Sequence, residues 1–142
     1  MIFYFFCRSI QFYIKHLNDD LYIEGLLESA DTTQVKPTTE SERGNFIIDP
    51  LSNGKIMIKP KYGNKVWDIG KGNALTYYYN HGKPNQLFKL SYVGSNSYVI
   101  TNEGNCLEYQ PNTKNYVSNI CNNSNNQKFL IITEEDEKKN SW

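Results

Sequence analysis

The residues that most often carry out catalysis or bind metals are few in this sequence, and they are widely spaced. Its two histidines, His16 and His81, stand 65 residues apart, and no Cys-x-x-Cys, His-Glu-x-x-His or Gly-x-Ser-x-Gly pattern occurs. Gly70-Lys71-Gly72 lacks the spacing of a phosphate-binding loop and is typical of a hairpin turn. The sequence therefore predicts no enzymatic activity, no metal site and no cofactor.

A short polar motif that ends in phenylalanine recurs three times along the chain. Asn85-Gln86-Leu87-Phe88 returns as Asn126-Gln127-Lys128-Phe129 and, in a weaker form, as Arg43-Gly44-Asn45-Phe46. The closing phenylalanines are 42 and then 41 residues apart. A second marker with an apolar and acidic character precedes each copy: Leu21-Tyr22-Ile23-Glu24, Val66-Trp67-Asp68-Ile69 and Cys106-Leu107-Glu108-Tyr109. A period near 42 residues predicts a repeat architecture.

The composition favours strands joined by polar turns. Tyrosine and phenylalanine together number 18, asparagine also numbers 18, and only two alanines occur in 142 residues. Short runs with period-2 alternation predict four strands in each repeat, and no run of ten residues has helical periodicity. We therefore expect an all-β domain of about twelve short strands, a three-fold barrel with hairpin caps, in which repeats 10–50, 51–93 and 94–133 share one core.

The two ends of the chain differ from the repeats. Residues 1–9 are apolar up to Arg8, which is well short of the roughly 20 residues that cross a bilayer, and no signal peptide is evident. Either the true start lies upstream, or this segment is an extra edge strand. Residues 134–142 begin with a charged run and are expected to form a disordered tail. We expect no membrane insertion.

The charge balance bears on the class of partner. The chain has 15 basic and 15 acidic residues, so its formal net charge is zero. A protein that binds nucleic acid through its phosphates needs a basic face to displace counterions. We therefore expect no nucleic-acid partner.

The repeats and their motifs resemble the ricin B-chain-type lectins, a β-trefoil family whose signature is Gln-x-Trp. The resemblance covers about residues 12–132, although phenylalanine replaces the tryptophan in every repeat and Gly44 stands where glutamine is expected. Cys106-Leu107-Glu108-Tyr109, Cys121 and Asn126-Gln127-Lys128-Phe129 give the best single match. The resemblance implies a β-trefoil that binds carbohydrate.

The family's binding residues fall on competent residue types in the second repeat. The resemblance implies that Asp68 is the carboxylate acceptor and Tyr78 the ring that stacks on the sugar, with Asn85 and Gln86 as amide partners. His81 is close enough in the sequence to contribute. An aspartate before a glycine-rich stretch also often caps a turn, and that reading of Asp68 stays open. Strand alternation places Tyr77 and Tyr79 on the face opposite Tyr78.

The other two repeats depart from the family pattern. The third keeps Glu108, Asn126 and Gln127 but has Asn119 at the stacking position, so it is expected to bind weakly or not at all. The first repeat has Ile23 or Glu24 at the acidic position and Lys36 at the stacking position, and is expected to be structural.

Three phenylalanines, one in each repeat, are expected to fill the core: Phe46, Phe88 and Phe129. Trp67 is more often a core residue than a contact at its position, and its burial decides between the two. The resemblance also implies a disulfide between Cys106 and Cys121, which would close a loop of about 16 residues, be worth on the order of 3 kcal/mol and indicate an oxidising compartment. The alternative is two small buried apolar side chains.

These expectations converge on a non-enzymatic lectin domain for galactose- or GalNAc-type glycans. Its partners would be glycans on glycoproteins or glycolipids, with a toxin or surface protein as a second kind of partner, and its location would be extracellular. A glycosidase is disfavoured because three-fold symmetry would hold Asp68 and Glu108 far apart. The alternative is a trefoil that has lost sugar binding and acts by protein contact, as a protease inhibitor or a coat component.

Overall fold

The computed structural model describes residues 10–25 and 33–140. Within these residues, regular structure consists of twelve strands and one C-terminal helix: β1 (Gln11–His16), β2 (Tyr22–Ile23), β3 (Pro37–Thr38), β4 (Phe46–Pro50), β5 (Ile56–Pro60), β6 (Lys65–Ile69), β7 (Leu75–Tyr79), β8 (Lys89–Tyr92), β9 (Ser97–Asn102), β10 (Asn105–Gln110), β11 (Asn115–Asn119), β12 (Phe129–Thr133) and α1 (Glu134–Asn140). Short 3-10 turns precede β4, β7, β8 and β12. The all-β prediction, with four strands in each repeat, is confirmed.

Six strands close into a barrel, two from each repeat. Strand β1 pairs with β12 and β4, β4 pairs with β5, and β9 pairs with β8 and β12, all antiparallel. The ring closes between β5 and β8, where Ile56 and Phe88 exchange backbone hydrogen bonds of 2.9 Å. A closed barrel leaves no unpaired sheet edge within the ring.

The remaining six strands form one hairpin in each repeat. These hairpins are β2–β3, β6–β7 and β10–β11. A single bridge between Gln34 and Thr76 joins the first repeat to the second-repeat hairpin, and one between Ala74 and Val117 joins the second repeat to the third-repeat hairpin. The hairpin of the second repeat therefore contacts a residue of the first repeat, and this contact matters for the site described below.

The core lies between the barrel and the hairpins. Period-2 burial places alternate side chains inside, as in β1, where Phe12, Ile14 and His16 are buried. Phe46, Phe88 and Phe129 are all buried in this core. Trp67 is 0% exposed, and its ring packs edge-on against Phe46 at 5.4 Å and Phe88 at 6.0 Å between centroids, so it is a core residue. Burying a large apolar side chain stabilises a fold by about 2–3 kcal/mol.

The predicted disordered tail is wrong for the described part of residues 134–142. Helix α1 begins at Glu134, and a reciprocal pair of hydrogen bonds caps it: the Thr133 N–H donates to Asp136 Oδ2 (2.9 Å) and the Asp136 N–H donates to Thr133 Oγ1 (3.2 Å). These bonds from Thr133 lower the pKa of Asp136. The Arg43 guanidinium also pairs with Glu137. Charge pattern alone missed this cap.

Two further predictions concern the ends of the chain and the membrane. The predicted extra strand in residues 1–9 lies outside the described residues. Within residues 10–25 and 33–140, no helix is long and apolar enough to cross a bilayer.

Candidate functional site

The second-repeat hairpin presents Asp68, Thr76 and Tyr78 on one face. Residues that pair across antiparallel strands point to the same side, and Asp68 pairs with Thr76 while Val66 pairs with Tyr78. Trp67 and Tyr77 point to the opposite side and are buried in the core. Tyr78 is 42% exposed. Tyr79 pairs with Lys65 on the side opposite Tyr78, as strand alternation predicts, and it is exposed because it lies at the end of β7.

Asp68 is the charged floor of this face. It is 4% exposed, and its Oδ2 accepts a hydrogen bond of 2.8 Å from Gln86 Nε2. His81 Nε2 lies 3.3 Å from the same oxygen. Among the described residues no donor reaches the second oxygen, Oδ1. One carboxylate oxygen is therefore committed to the protein and the other remains available as an acceptor.

Gln86 positions Asp68 from the buried side of the hairpin. Its side chain is 0% exposed, and its Nε2 also donates to the Tyr79 carbonyl at 2.9 Å. Its Oε1 accepts from the backbone N–H groups of His81 (3.0 Å) and Gly82 (3.1 Å). The expected role of Gln86 as a direct amide partner needs correction, since every polar atom of the amide is used inside the protein. Gln86 fixes Asp68 and the loop that carries His81.

Three other predicted residues of this repeat are held by contacts within the protein. The His81 Nδ1 accepts the backbone N–H of Lys83 (3.1 Å), so in neutral imidazole the proton lies on Nε2, the nitrogen next to Asp68. The Asn85 Nδ2 donates to the Ile69 carbonyl (3.2 Å), which orients its amide oxygen. The Tyr78 ring meets His81 edge-on, with 5.9 Å between centroids.

These side chains line one cavity of about 410 Å³ on the protein surface. Its lining contains four residues predicted from the sequence, Asp68, Tyr78, His81 and Asn85, and four that were missed, Gln34, Gly70, Lys71 and Thr76. Thr76 was accessible to sequence reasoning, because it precedes Tyr78 by two residues in an alternating strand. Gln34 carried no such signal, since it comes from the first repeat and reaches the cavity through its bridge to Thr76. The cavity volume falls within the usual range of roughly 300–1,000 Å³ for small-molecule sites.

The third repeat repeats the supporting bonds of the second. Gln127 Nε2 donates to Glu108 Oε1 (3.0 Å) and to the Ile120 carbonyl (2.9 Å), and Gln127 Oε1 accepts the Asn122 N–H (2.9 Å). The second carboxylate oxygen, however, accepts bonds from the side chains of Gln110 and Asn119. Both carboxylate oxygens of Glu108 therefore accept hydrogen bonds from side chains of the third repeat, and neither is left for a ligand.

Two further predictions for the third repeat concern Asn126 and the two cysteines. Asn126 is exposed, and no side-chain hydrogen bond joins it to Glu108 or Gln127. A disulfide links Cys106 to Cys121, with 5.0 Å between their Cα atoms. This bond ties the start of β10 to the loop that follows β11.

The first repeat has no space for the supporting glutamine. A Cβ added to Gly44 would lie 2.5 Å from the Gly25 nitrogen, and the Gly44 N–H donates to the Ile23 carbonyl at 3.0 Å. The side chain of Glu24 instead accepts the backbone N–H of Lys36 (3.0 Å). Close backbone packing replaces the glutamine and acid pair in this repeat. Among the described residues, no cluster of histidine, cysteine and acidic side chains could hold a metal ion.

No family model and no curated protein matches this sequence. Solved structures do match, with low sequence identity. The designed 3-fold symmetric protein ThreeFoil is 14% identical over 86% of this chain and 97% of its own length, with a TM-score of 0.73. SeviL bound to asialo-GM1 saccharide is 14% identical over 89% and 99%, with a TM-score of 0.69. The exo-β-1,3-galactanase 1,3Gal43A from Clostridium thermocellum is 16% identical over 89% of this chain, with a TM-score of 0.78.

These similarities show the fold. The chain covers 31% of the length of the galactanase and 36% of Cry35Ab1, so in those proteins the similar part is one portion of a longer chain. It covers nearly the whole length of the designed three-fold protein and of SeviL. The chain has the β-trefoil fold, a closed six-stranded barrel capped by three hairpins, one from each repeat.

Proposed function

We propose that this chain is a carbohydrate-binding domain whose main site is the cavity of the second repeat. The observation that carries the proposal is that Asp68, Tyr78, His81 and Asn85 line one cavity with an open carboxylate oxygen at its floor. The third repeat has the same supporting bonds without an open oxygen. Sugar binding is therefore assigned to one repeat.

The chemistry of the cavity matches the two faces of a sugar ring. A carboxylate oxygen and an amide oxygen accept hydrogen bonds from neighbouring hydroxyls, and bonds to a charged acceptor contribute about 1.5–3 kcal/mol each. An exposed aromatic ring packs against the apolar C–H face of the sugar. Asp68 and Asn85 supply the acceptors and Tyr78 supplies the ring.

Galactose- or GalNAc-type glycans are the proposed ligand class. Their axial hydroxyl leaves one continuous C–H face free for a ring such as Tyr78. The names of three structural neighbours refer to galactosides or to a bound saccharide. They are an endo-β-galactosidase from Clostridium perfringens, an exo-β-1,3-galactanase and a protein bound to asialo-GM1 saccharide. Their names agree with the proposal, and at 10–16% sequence identity their similarity to this chain is one of fold.

The proposed setting is extracellular, with glycans of glycoproteins or glycolipids as partners. The disulfide between Cys106 and Cys121 suits an oxidising compartment. Neighbours include a mosquitocidal holotoxin and a salivary protein from Culex quinquefasciatus. The holotoxin is a longer protein, of which this chain covers 16%, and an attachment module beside a toxin or surface protein is the arrangement we propose.

The experiment is binding of the purified chain to an array of terminal galactosides and other glycans. Tyr78→Ala removes the ring, and Asp68→Asn removes the charge while keeping a group that accepts from Gln86. Each variant is expected to weaken binding by about tenfold or more, which corresponds to about 1.4 kcal/mol. Tyr62→Ala is the matched control, because Tyr62 is 69% exposed and lies outside the cavity lining.

The result decides between sugar binding and protein contact. If the parent chain binds no glycan at high density, the lectin proposal fails and protein partners become the alternative. If the parent binds but Tyr78→Ala and Asp68→Asn bind equally well, the site lies elsewhere. Thermal unfolding of each variant establishes that a loss of binding is not a loss of fold.

A further inference from the structure

The zero net charge of this chain conceals a strong separation of charge between its repeats. Residues 51–93 contain seven lysines and a single acidic residue, Asp68, which is buried. Residues 10–50 contain eight acidic and three basic residues, and residues 94–133 contain two of each. The repeat that carries the candidate cavity is therefore the basic part of the molecule.

Some of these lysines are occupied within the protein. The Lys59 ammonium lies 2.8 Å from Asp49 Oδ2, and the Lys61 ammonium lies 5.4 Å from the centre of the Tyr62 ring. Lys65 is buried, with its ammonium 5.2 Å from the centre of the Tyr79 ring. These lysines have structural partners, and the proposal does not depend on them.

Lys71 differs because it lines the cavity. It lies in the turn between β6 and β7, its side chain is exposed, and no acidic group among the described residues pairs with it. Lys83 is also exposed and follows His81 by two residues. The cavity thus has one carboxylate at its floor and a cationic side chain at its rim.

A neutral sugar gives Lys71 no charged group to meet. A cation beside a partly enclosed cavity raises the local concentration of anionic ligands, and it strengthens the binding of those whose charge reaches it. The buried carboxylate of Asp68 disfavours an anion at the floor, so the charge of such a ligand would have to lie at the rim. The two groups together select a ligand with hydroxyls on one side and an anionic substituent on the other.

We propose that the second-repeat cavity takes an acidic glycan, a galactose-type ring that carries a sulfate or a carboxylate, with Asp68 receiving the ring hydroxyls and Lys71 the anionic substituent. The proposal rests on the proposed carbohydrate-binding function and specifies its ligand class. Sulfate esters and the carboxylates of sialic acid share the relevant chemistry, and the experiment separates them.

The test compares dissociation constants for three immobilised ligands: a neutral β-galactoside, the same galactoside with a 3-O-sulfate, and its sialylated form. The parent chain is expected to bind one or both acidic forms about two- to fivefold more tightly than the neutral form, the range expected of an exposed ion pair. Raising the salt from about 50 mM to about 500 mM should reduce that preference.

Two substitutions and a matched control assign the effect to Lys71. Lys71→Gln is expected to bring the ratio of the acidic and neutral dissociation constants close to one, while Lys71→Arg keeps the preference. Lys114→Gln is the control, because Lys114 is an exposed lysine at the corresponding hairpin turn of the third repeat, outside the cavity. It should leave the ratio unchanged.

The possible outcomes separate the two proposals. Equal binding of neutral and acidic galactosides by the parent chain overturns the acidic-glycan proposal and leaves the lectin proposal standing. A preference that survives Lys71→Gln also overturns it. Binding of a single-stranded oligonucleotide as tightly as of the sulfated galactoside shows a general polyanion surface, which contradicts both the proposal and the expectation of no nucleic-acid partner. No binding of any glycan overturns the lectin proposal itself.

Discussion

The second and third repeats hold an acidic residue in the same way and leave it in different states. In each, a buried glutamine, Gln86 or Gln127, donates to the carboxylate and to a backbone carbonyl at the end of the hairpin, and its oxygen accepts a backbone N–H from the following loop. Asp68 keeps one oxygen open to a cavity, whereas Gln110 and Asn119 fill the second oxygen of Glu108.

The glutamine and acid pair is therefore first of all a structural unit. Both pairs are buried, and both anchor the last hairpin strand to the loop that precedes the next barrel strand. A binding site needs two further features, an unfilled carboxylate oxygen and an aromatic ring beside it. The second repeat has both, with Tyr78 where the third repeat has Asn119.

The largest expected effect concerns the disulfide, which only the third repeat has. Replacing both Cys106 and Cys121 by serine should lower the free energy of unfolding by about 3 kcal/mol. A cross-link over about 15 residues lowers the conformational entropy of the unfolded chain, and the substitution restores that entropy. Urea unfolding measures the loss, and parent chain treated with a reductant should show the same stability as the double variant. An unchanged stability would show that the third repeat does not depend on this bond.

The next effect tests whether the two glutamines are equivalent supports. Gln86→Ala and Gln127→Ala each leave buried polar partners without a bond, and each is expected to cost about 2–3 kcal/mol of stability. Only Gln86→Ala should also weaken glycan binding, since only Asp68 lines an open cavity. Equal losses of binding in both variants would contradict the assignment of the site to one repeat.

A buried histidine of the first repeat, His16, packs beside the hairpin of the third repeat, whereas the histidine of the second repeat, His81, is exposed. His16 packs on Tyr109 at 4.4 Å between ring centroids, and its Nε2 lies 2.6 Å from the Tyr116 hydroxyl. Burial lowers the pKa of His16, although the hydrogen bond and charge of Asp19 act in the opposite direction and the charge of Lys15 adds to the lowering.

The pH dependence of stability follows from that direction. Because the folded pKa lies below the unfolded value of about 6.5, the unfolded chain binds the proton more readily, and stability is lost as the pH falls below about 6.5. Urea unfolding between about pH 7.5 and pH 5 should show this fall, and His16→Gln should reduce its slope. A slope that His16→Gln leaves unchanged would assign the pH dependence to other groups.

The smallest expected effect is a gain of binding in the third repeat. Gln110→Ala with Asn119→Tyr removes both donors to the second oxygen of Glu108 and supplies the missing ring. The background is a chain in which Tyr78→Ala disables the second-repeat cavity. There we expect weak binding of a galactoside, with a dissociation constant on the order of 1 mM. Gln110→Ala alone is the control, because it opens the oxygen without the ring.

Much of the fold was predictable because short stretches of sequence determine it. Alternation and turn residues located the strands, and the recurrence of Phe46, Phe88 and Phe129 set the period of the repeats. Helix α1 was missed because its charged run has no apolar periodicity, while the bonds between Thr133 and Asp136 that cap it involve only two residues.

The site was only partly predictable. Asp68, Tyr78, His81 and Asn85 belong to one repeat, and their spacing was enough to group them. Gln34 reaches the cavity from another repeat through a bridge that no local pattern reveals. The closure of Glu108 by Gln110 and Asn119, and the use of every polar atom of Gln86, depend on side-chain geometry that residue type alone does not determine.

Sugar binding by the second repeat alone can be tested by following the backbone amide signals of the ¹⁵N-labelled chain by NMR during titration with a β-galactoside and its 3-O-sulfated form. We predict shifts around the second-repeat cavity, at Gly70, Lys71, Thr76 and Gly82, with the corresponding third-repeat amides unmoved. Shifts centred on the third-repeat hairpin, or no shift at saturating ligand, would contradict sugar binding by the second repeat.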